Sequence, residues 1–95
     1  MKIQELLKNE TCWTKRVDAR NKEEYPVSAF NRYAVKWCLI GALNKCYSGQ
    51  ERFEMLNKLE KVLFSLHCDM SLSSFNDASS TTFKQIREVI EKADV

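Results

Sequence analysis

The run Ala34-Val35-Lys36-Trp37-Cys38-Leu39-Ile40-Gly41-Ala42-Leu43 carries one charge, Lys36, in ten residues. So apolar a stretch has to be buried, and any fold of the chain must be built around it. Ala34, Trp37, Cys38, Gly41 and Ala42 fall at i, i+3, i+4, i+7 and i+8, the spacing of one helical face. Val35, Leu39, Ile40 and Leu43 cover much of the remaining circumference. A helix apolar nearly all round is packed on several sides. The pattern predicts a central helix over about 29–47, with Ser28 or Asn31 as its N-cap and Gly49, after Ser48, as its stop. Gly41 inside that helix costs ~1 kcal/mol against alanine. A close approach by another backbone is the natural compensation.

Three further helices are predicted around this one. Ile3, Leu6 and Leu7 give a short amphipathic helix over 2–9, closed by Asn9. Phe53, Leu56, Leu59, Leu63 and Leu66, widened by Met55, Val62 and Phe64, give a helix from about Glu51 to Cys68. Phe83, Ile86, Val89, Ile90 and Ala93 give a last helix over 82–93, capped by Thr81 or Thr82. Residues 11–28 have no sustained period and are expected to form an irregular or hairpin-like excursion around Asn21. Residues 69–81 are rich in Ser, Asn and Asp and are expected to be a loop anchored by Met70, Leu72 and Phe75. With two glycines and one proline in the chain, an all-β fold full of tight turns is disfavoured. The expected fold is mainly α: a small four-helix bundle around the 29–47 helix, in one domain spanning 1–95. A domain this small is marginally stable, by roughly 5–10 kcal/mol.

Charge and cysteine narrow the functional classes. The formal charge is +2, too weak to argue for a nucleic-acid partner. Basic residues nevertheless gather as Lys15, Arg16, Arg20, Lys22, Arg32 and Lys36, near Trp13, Tyr25, Phe30 and Tyr33. Interleaving of this kind can hold single-stranded nucleic acid, so a weak nucleic-acid binder working through 15–36 is one alternative. No apolar run approaches the ~18 residues of a membrane span, and the N-terminal residues lack the pattern of a secretory signal. The four cysteines, Cys12, Cys38, Cys46 and Cys68, lack the close pairing of a zinc knuckle. They are expected to be reduced thiols of a cytoplasmic protein. No cofactor or metal is expected; Cys38, Cys46, His67 and Cys68 are the one mixed set that spacing allows on paper.

The sharpest enzymatic alternative joins Cys38, His67 and Asn76 or Asp77 as thiol, imidazole base and orienting group. Against it, Cys38 inside an apolar helix behaves as a small hydrophobe, and His67 at a helix end is accounted for by the helix dipole. Asn76-Asp77 suits a turn or cap, or a polar loop contacting a partner. Trp13 is expected to pack over Trp37 and pin the excursion to the core. A charge-assisted contact from Arg20 to Asp77 would then tie the two loops.

The central segment Ala34–Leu43, the loop Phe75-Asn76-Asp77, Trp13 and Ala19-Arg20 together resemble a small family of unknown function met in phages and bacteria. Its members share an Ala-Val-x-Trp-Cys-Leu-x-Gly-Ala helix and an aromatic-Asn-Asp loop. Asn21 stands here where the family often has aspartate. The resemblance covers Trp13 to Ala93 and implies an architecture and a phage-like context, with no assigned reaction. The resulting expectation is a small intracellular protein-binding module, phage or mobile-element encoded, that occludes a host protein, for example as an inhibitor of a defence system. Lys15, Arg16, Arg20, Lys22, Asn76 and Asp77 are its candidate contact residues. A homodimer is a further possibility.

Overall fold

The computed structural model describes every residue except Cys68. Helix α1 (Ile3–Leu6) is followed by a 3₁₀ turn, Glu10–Cys12. Three two-residue strands come next: β1 (Ala19–Arg20), β2 (Pro26–Val27) and β3 (Lys36–Trp37). Helices α2 (Leu39–Cys46), α3 (Gly49–His67), α4 (Leu72–Asp77) and α5 (Phe83–Ala93) complete the chain. The fold is therefore mainly helical, with 54% of residues in helices, but a small antiparallel sheet of order β2-β1-β3 is built into it.

The excursion at 11–28 is hairpin-like as expected. Ala19 pairs with Val27 and Arg20 with Pro26. Asn21 organises the turn: its Oδ1 accepts the N–H groups of Glu23 and Tyr25, both at 3.0 Å, as asparagine does where it mimics a backbone turn. On the other side of β1, Ala19 pairs with Trp37 and Arg20 with Lys36.

That third strand corrects the expected central helix. Of residues 29–47, only Leu39–Cys46 is α-helical. The reason lies in where the backbone donors go. The Val35 N–H donates to the Arg20 carbonyl (2.9 Å) and the Cys38 N–H to the Asp18 carbonyl (3.1 Å), so sheet pairing takes the bonds a helix would need. Before them, Ser28 Oγ accepts the Phe30 N–H (3.1 Å) and Asn31 Oδ1 the Tyr33 N–H (2.8 Å). These tandem turns hold residues 28–34 out of a helix. The apolar run is thus a strand feeding directly into a helix, and its helical periodicity through Ala34 and Trp37 is coincidental. Helices do not surround a long central one: α2 has eight residues and α1 four.

Elsewhere the expectations are met in outline. Helix α5 begins at a reciprocal capping box, Thr82 with Gln85, and buries Ile86, Val89, Ile90 and Ala93. Helix α3 buries Leu59 and Leu63, while Leu56, Val62 and Leu66 pack partly against the core. Phe53 and Phe64, predicted on its apolar stripe, are exposed. The expected loop at 69–81 contains α4, because Ser71 Oγ caps the Ser74 N–H (3.0 Å) and Leu72 and Phe75 are buried. The two ends of the chain meet. The Ile3 N–H donates to the Val95 carbonyl (2.5 Å), and Ile3, Leu7 and Val95 are buried together with α5. Among the described residues, no helix is long and apolar enough to cross a membrane.

Candidate functional site

Three segments distant in sequence converge on the N-terminus of α2: residues 13–18, the Cys38–Gly41 turn and the end of α4. Asn76 stands at the centre and is 1% exposed. Its Oδ1 accepts the Trp13 indole N–H (2.8 Å) and the Leu39 N–H (3.1 Å). Its Nδ2 donates to the Thr14 carbonyl (3.1 Å) and to Asp77 Oδ1 (2.9 Å). Every hydrogen-bonding group of the amide is engaged, which is what makes so buried a polar side chain tolerable. Asp77 Oδ1 also accepts the backbone N–H of Arg16 (2.8 Å), and Arg16 takes a left-handed backbone, φ 75°.

The expected tie between the loops is therefore real, but its donors differ. Arg20 does not reach Asp77. Its guanidinium donates to Thr14 Oγ1 (2.8 Å) and to the carbonyls of Glu24 (3.0 Å) and Lys15 (3.4 Å), locking the excursion onto itself. Lys15 donates to the carbonyls of Ala78 (2.6 Å) and Thr81 (3.1 Å) and lies 5.2 Å over the Trp13 ring. Lys36 pairs with Glu24 at 2.6 Å. Trp13 meets Trp37 through a backbone bridge, the Thr14 N–H donating to the Trp37 carbonyl (3.1 Å); its ring packs against Phe83, with centroids 5.9 Å apart.

Beside this knot lies a cavity of about 110 Å³, lined in part by Arg16, Asp18, Cys38, Ser73, Asn76 and Asp77. Such a volume suits a few waters and is well below the ~300 Å³ at which small-molecule sites begin. Cys38, expected inside a helix, caps one instead: its Sγ accepts the Gly41 N–H at 3.2 Å. A helix N-terminus ordinarily lowers a thiol pKa. Here burial dominates and pushes the Cys38 thiol up from its ordinary 9.0, the Gly41 N–H opposing and the Asp18 carboxylate reinforcing the rise. The neutral thiol is the form the fold favours.

Among the described residues, no hydrogen bond joins the side chains of Cys38, His67 and Asn76. His67 stacks on Phe75, with ring centroids 4.9 Å apart, and its Nε2 lies 3.7 Å from Glu88 Oε1. Asn76 has no group left to orient it. Among the described residues, no three His, Cys, Asp or Glu side chains are placed to hold a metal; Cys68, a member of the mixed set that spacing allowed, lies outside those residues.

A linkage follows from Cys38. Its folded pKa is raised, so its contribution to stability is full below the unfolded thiol's value and is lost as pH climbs through the folded one. Cys46 and Tyr47 are raised by burial as well and act in the same direction. Unfolding by urea at pH 7 and at pH 10 should show wild type losing more stability at alkaline pH than Cys38→Ser, which keeps a capping oxygen but has no thiol to ionise. Equal losses in the two proteins would contradict a buried neutral thiol.

Sequence reasoning noted Phe30 and Tyr33 as aromatics interleaved with basic residues but passed over the tandem turns that display them. Ser28-x-Phe30 and Asn31-x-Tyr33 repeat one pattern, a turn-forming side chain followed two residues later by an aromatic, and both aromatics point outward. The repeat was the available signal.

No curated protein and no solved structure matches the chain. A family match spans residues 2–94, almost the whole domain, including all three segments of the knot. The chain belongs to a family of unknown function, DUF6197.

Proposed function

We propose that this chain is a small protein-binding module that acts by covering a surface of another protein. The observation that carries the proposal is the aromatic display on the hairpin turn and the tandem turns that follow it: Tyr25, Phe30 and Tyr33 are 67%, 65% and 61% exposed. Val35 stands near them, because its N–H pairs with Arg20 while Tyr25 pairs with Asn21. Large aromatics held by rigid turns lose little entropy on binding, and with arginine they dominate interface energetics. Arg32 fits that description, its guanidinium 4.8 Å over the Tyr33 ring and bonded to its hydroxyl at 2.6 Å.

Lys15, Arg20 and Lys36 are held by partners within the chain, and Asn76 and Asp77 hold the knot. Of the candidate basic residues, Arg16 and Lys22 make no side-chain hydrogen bond or ion pair among the described residues, and Arg32 is bonded to the neighbouring Tyr33 hydroxyl. This favours a protein partner over a phosphate backbone, which needs a row of available cations. The three described free cysteines suit a reducing, intracellular compartment. The likeness to short phage and bacterial proteins extends the proposal to a phage or mobile-element protein that occludes a host component, such as part of a defence system.

Affinity capture from the native host should compare wild type with Phe30→Ser/Tyr33→Ser. Both side chains are exposed, so the variant should melt within about 3 °C of wild type, a sub-kcal/mol change. A protein retained by wild type and lost by the folded variant supports the proposal. An identical captured set from both proteins sinks it.

A further inference from the structure

Helix α3 is the longest element, 19 residues or ~28 Å at 1.5 Å per residue. It fully buries only Leu59 and Leu63. Phe53 and Phe64 are 55% and 67% exposed. They are eleven residues apart, three turns to within about 20° of rotation, so both rings leave the helix on one side. Asn57 and Glu60 lie between them on that same side. Both are exposed, and neither is hydrogen-bonded or ion-paired through its side chain among the described residues. Leu56, half-buried, joins this stripe to the core.

The order along the stripe is Phe53, Asn57, Glu60, Phe64, with steps of four, three and four residues. Those steps read the same in either direction. We propose that two copies of this chain pair through antiparallel α3 helices about a two-fold axis between Asn57 and Glu60. A closed two-fold contact requires a self-complementary surface, and this stripe is one. Phe53 meets the partner's Phe64 at each end. At the centre the Asn57 amide N–H donates to the carboxylate of the partner's Glu60, and the reverse contact repeats it. No pair of like charges is brought together. The alternative parallel arrangement would set Glu60 against Glu60 of the partner subunit. One helix face sits at the low end of interface areas, so the expected affinity is modest, on the order of 10 µM.

Sedimentation equilibrium of the reduced protein from about 2 to 500 µM, a range that brackets such a dissociation constant, tests the pairing. Wild type should show a reversible monomer–dimer equilibrium. Phe64→Glu should weaken it at least tenfold. Asn57→Lys, which sets a cation against the partner's Glu60, should tighten it several-fold; Asn57→Glu, which sets two carboxylates together, should weaken it by a similar factor. Asn57 is exposed, so this pair of variants remains informative even where Phe64→Glu lowers stability. A wild-type monomer throughout the range overturns the proposal. So does a dimer indifferent to both Asn57 variants, including one abolished instead by Tyr33→Ser, which would place the contact on the exposed aromatics of residues 25–33.

Discussion

Replacing Asn76 by alanine is expected to destabilise the domain by about 3 kcal/mol, a fall in Tm of roughly 15 °C for a chain of this size. The substitution strips partners from the Trp13 indole N–H, the Leu39 N–H, the Thr14 carbonyl and Asp77. Each buried group left unsatisfied costs ~1–3 kcal/mol. The full sum is not reached, because water entering the neighbouring cavity of about 110 Å³ can satisfy part of the set. Asn76→Asp separates the contributions. It keeps the oxygen that Trp13 and Leu39 address but turns a second oxygen toward the Thr14 carbonyl and the Asp77 carboxylate. At neutral pH it should be as damaging as alanine. On acidification it should recover, since a protonated carboxyl can again donate. Its folded pKa is raised by burial and by Asp77, so the stability tied to that proton is present at low pH and lost as pH rises. Urea unfolding at pH 5 and pH 7.5 reads this directly. A cost below about 1 kcal/mol for Asn76→Ala would show that the knot is dispensable.

The second large effect concerns Gly41. A Cβ built there lies 1.9 Å from the Asp18 carbonyl oxygen and 2.8 Å from its carbon. Those atoms are backbone and cannot rotate away. The same oxygen accepts the Cys38 N–H at 3.1 Å, so moving it also loosens the sheet-to-helix junction. Gly41→Ala gains ~1 kcal/mol of helix propensity but meets an overpacking cost at or above the usual ~1–3 kcal/mol. A net loss of about 3 kcal/mol is expected, and Gly41→Val should not fold. Gly49→Ala is the control. That site has φ +57° and nothing within 4 Å, so only the left-handed backbone is strained, at ~1–2 kcal/mol. If the two alanine variants melt together, the contact between Gly41 and Asp18 is not what requires glycine.

These two positions also mark how far sequence reasoning reached. Gly41 was legible as a point of close backbone approach, because glycine amid apolar helix formers needs a compensating contact. Trp13, Cys38 and Asn76-Asp77 were legible as belonging together through the family-like segments. Which atoms join them was not: Asp77 takes the Arg16 main chain rather than the Arg20 side chain, since Arg20 is already held by Thr14, Glu24 and Lys15. The capping role of Cys38 was hidden because residues 34–43 match a helical period on both sides of the true helix start.

The sequence by itself determined the mainly helical class, the amphipathic α5 with a threonine cap at its start, the turn at Asn21 and the burial of most of the apolar run, Trp37 to Leu43, though not of Val35. Those follow from local propensity and periodicity. Only the tertiary structure decided that residues 35–38 pair with residues 18–20 instead of coiling, that Leu72 and Phe75 reach the core from α4, and that Phe53 and Phe64 face outward. In each case a partner distant in sequence, or its absence, settles where a backbone donor or an apolar side chain goes. Periodicity within one segment carries no record of that partner.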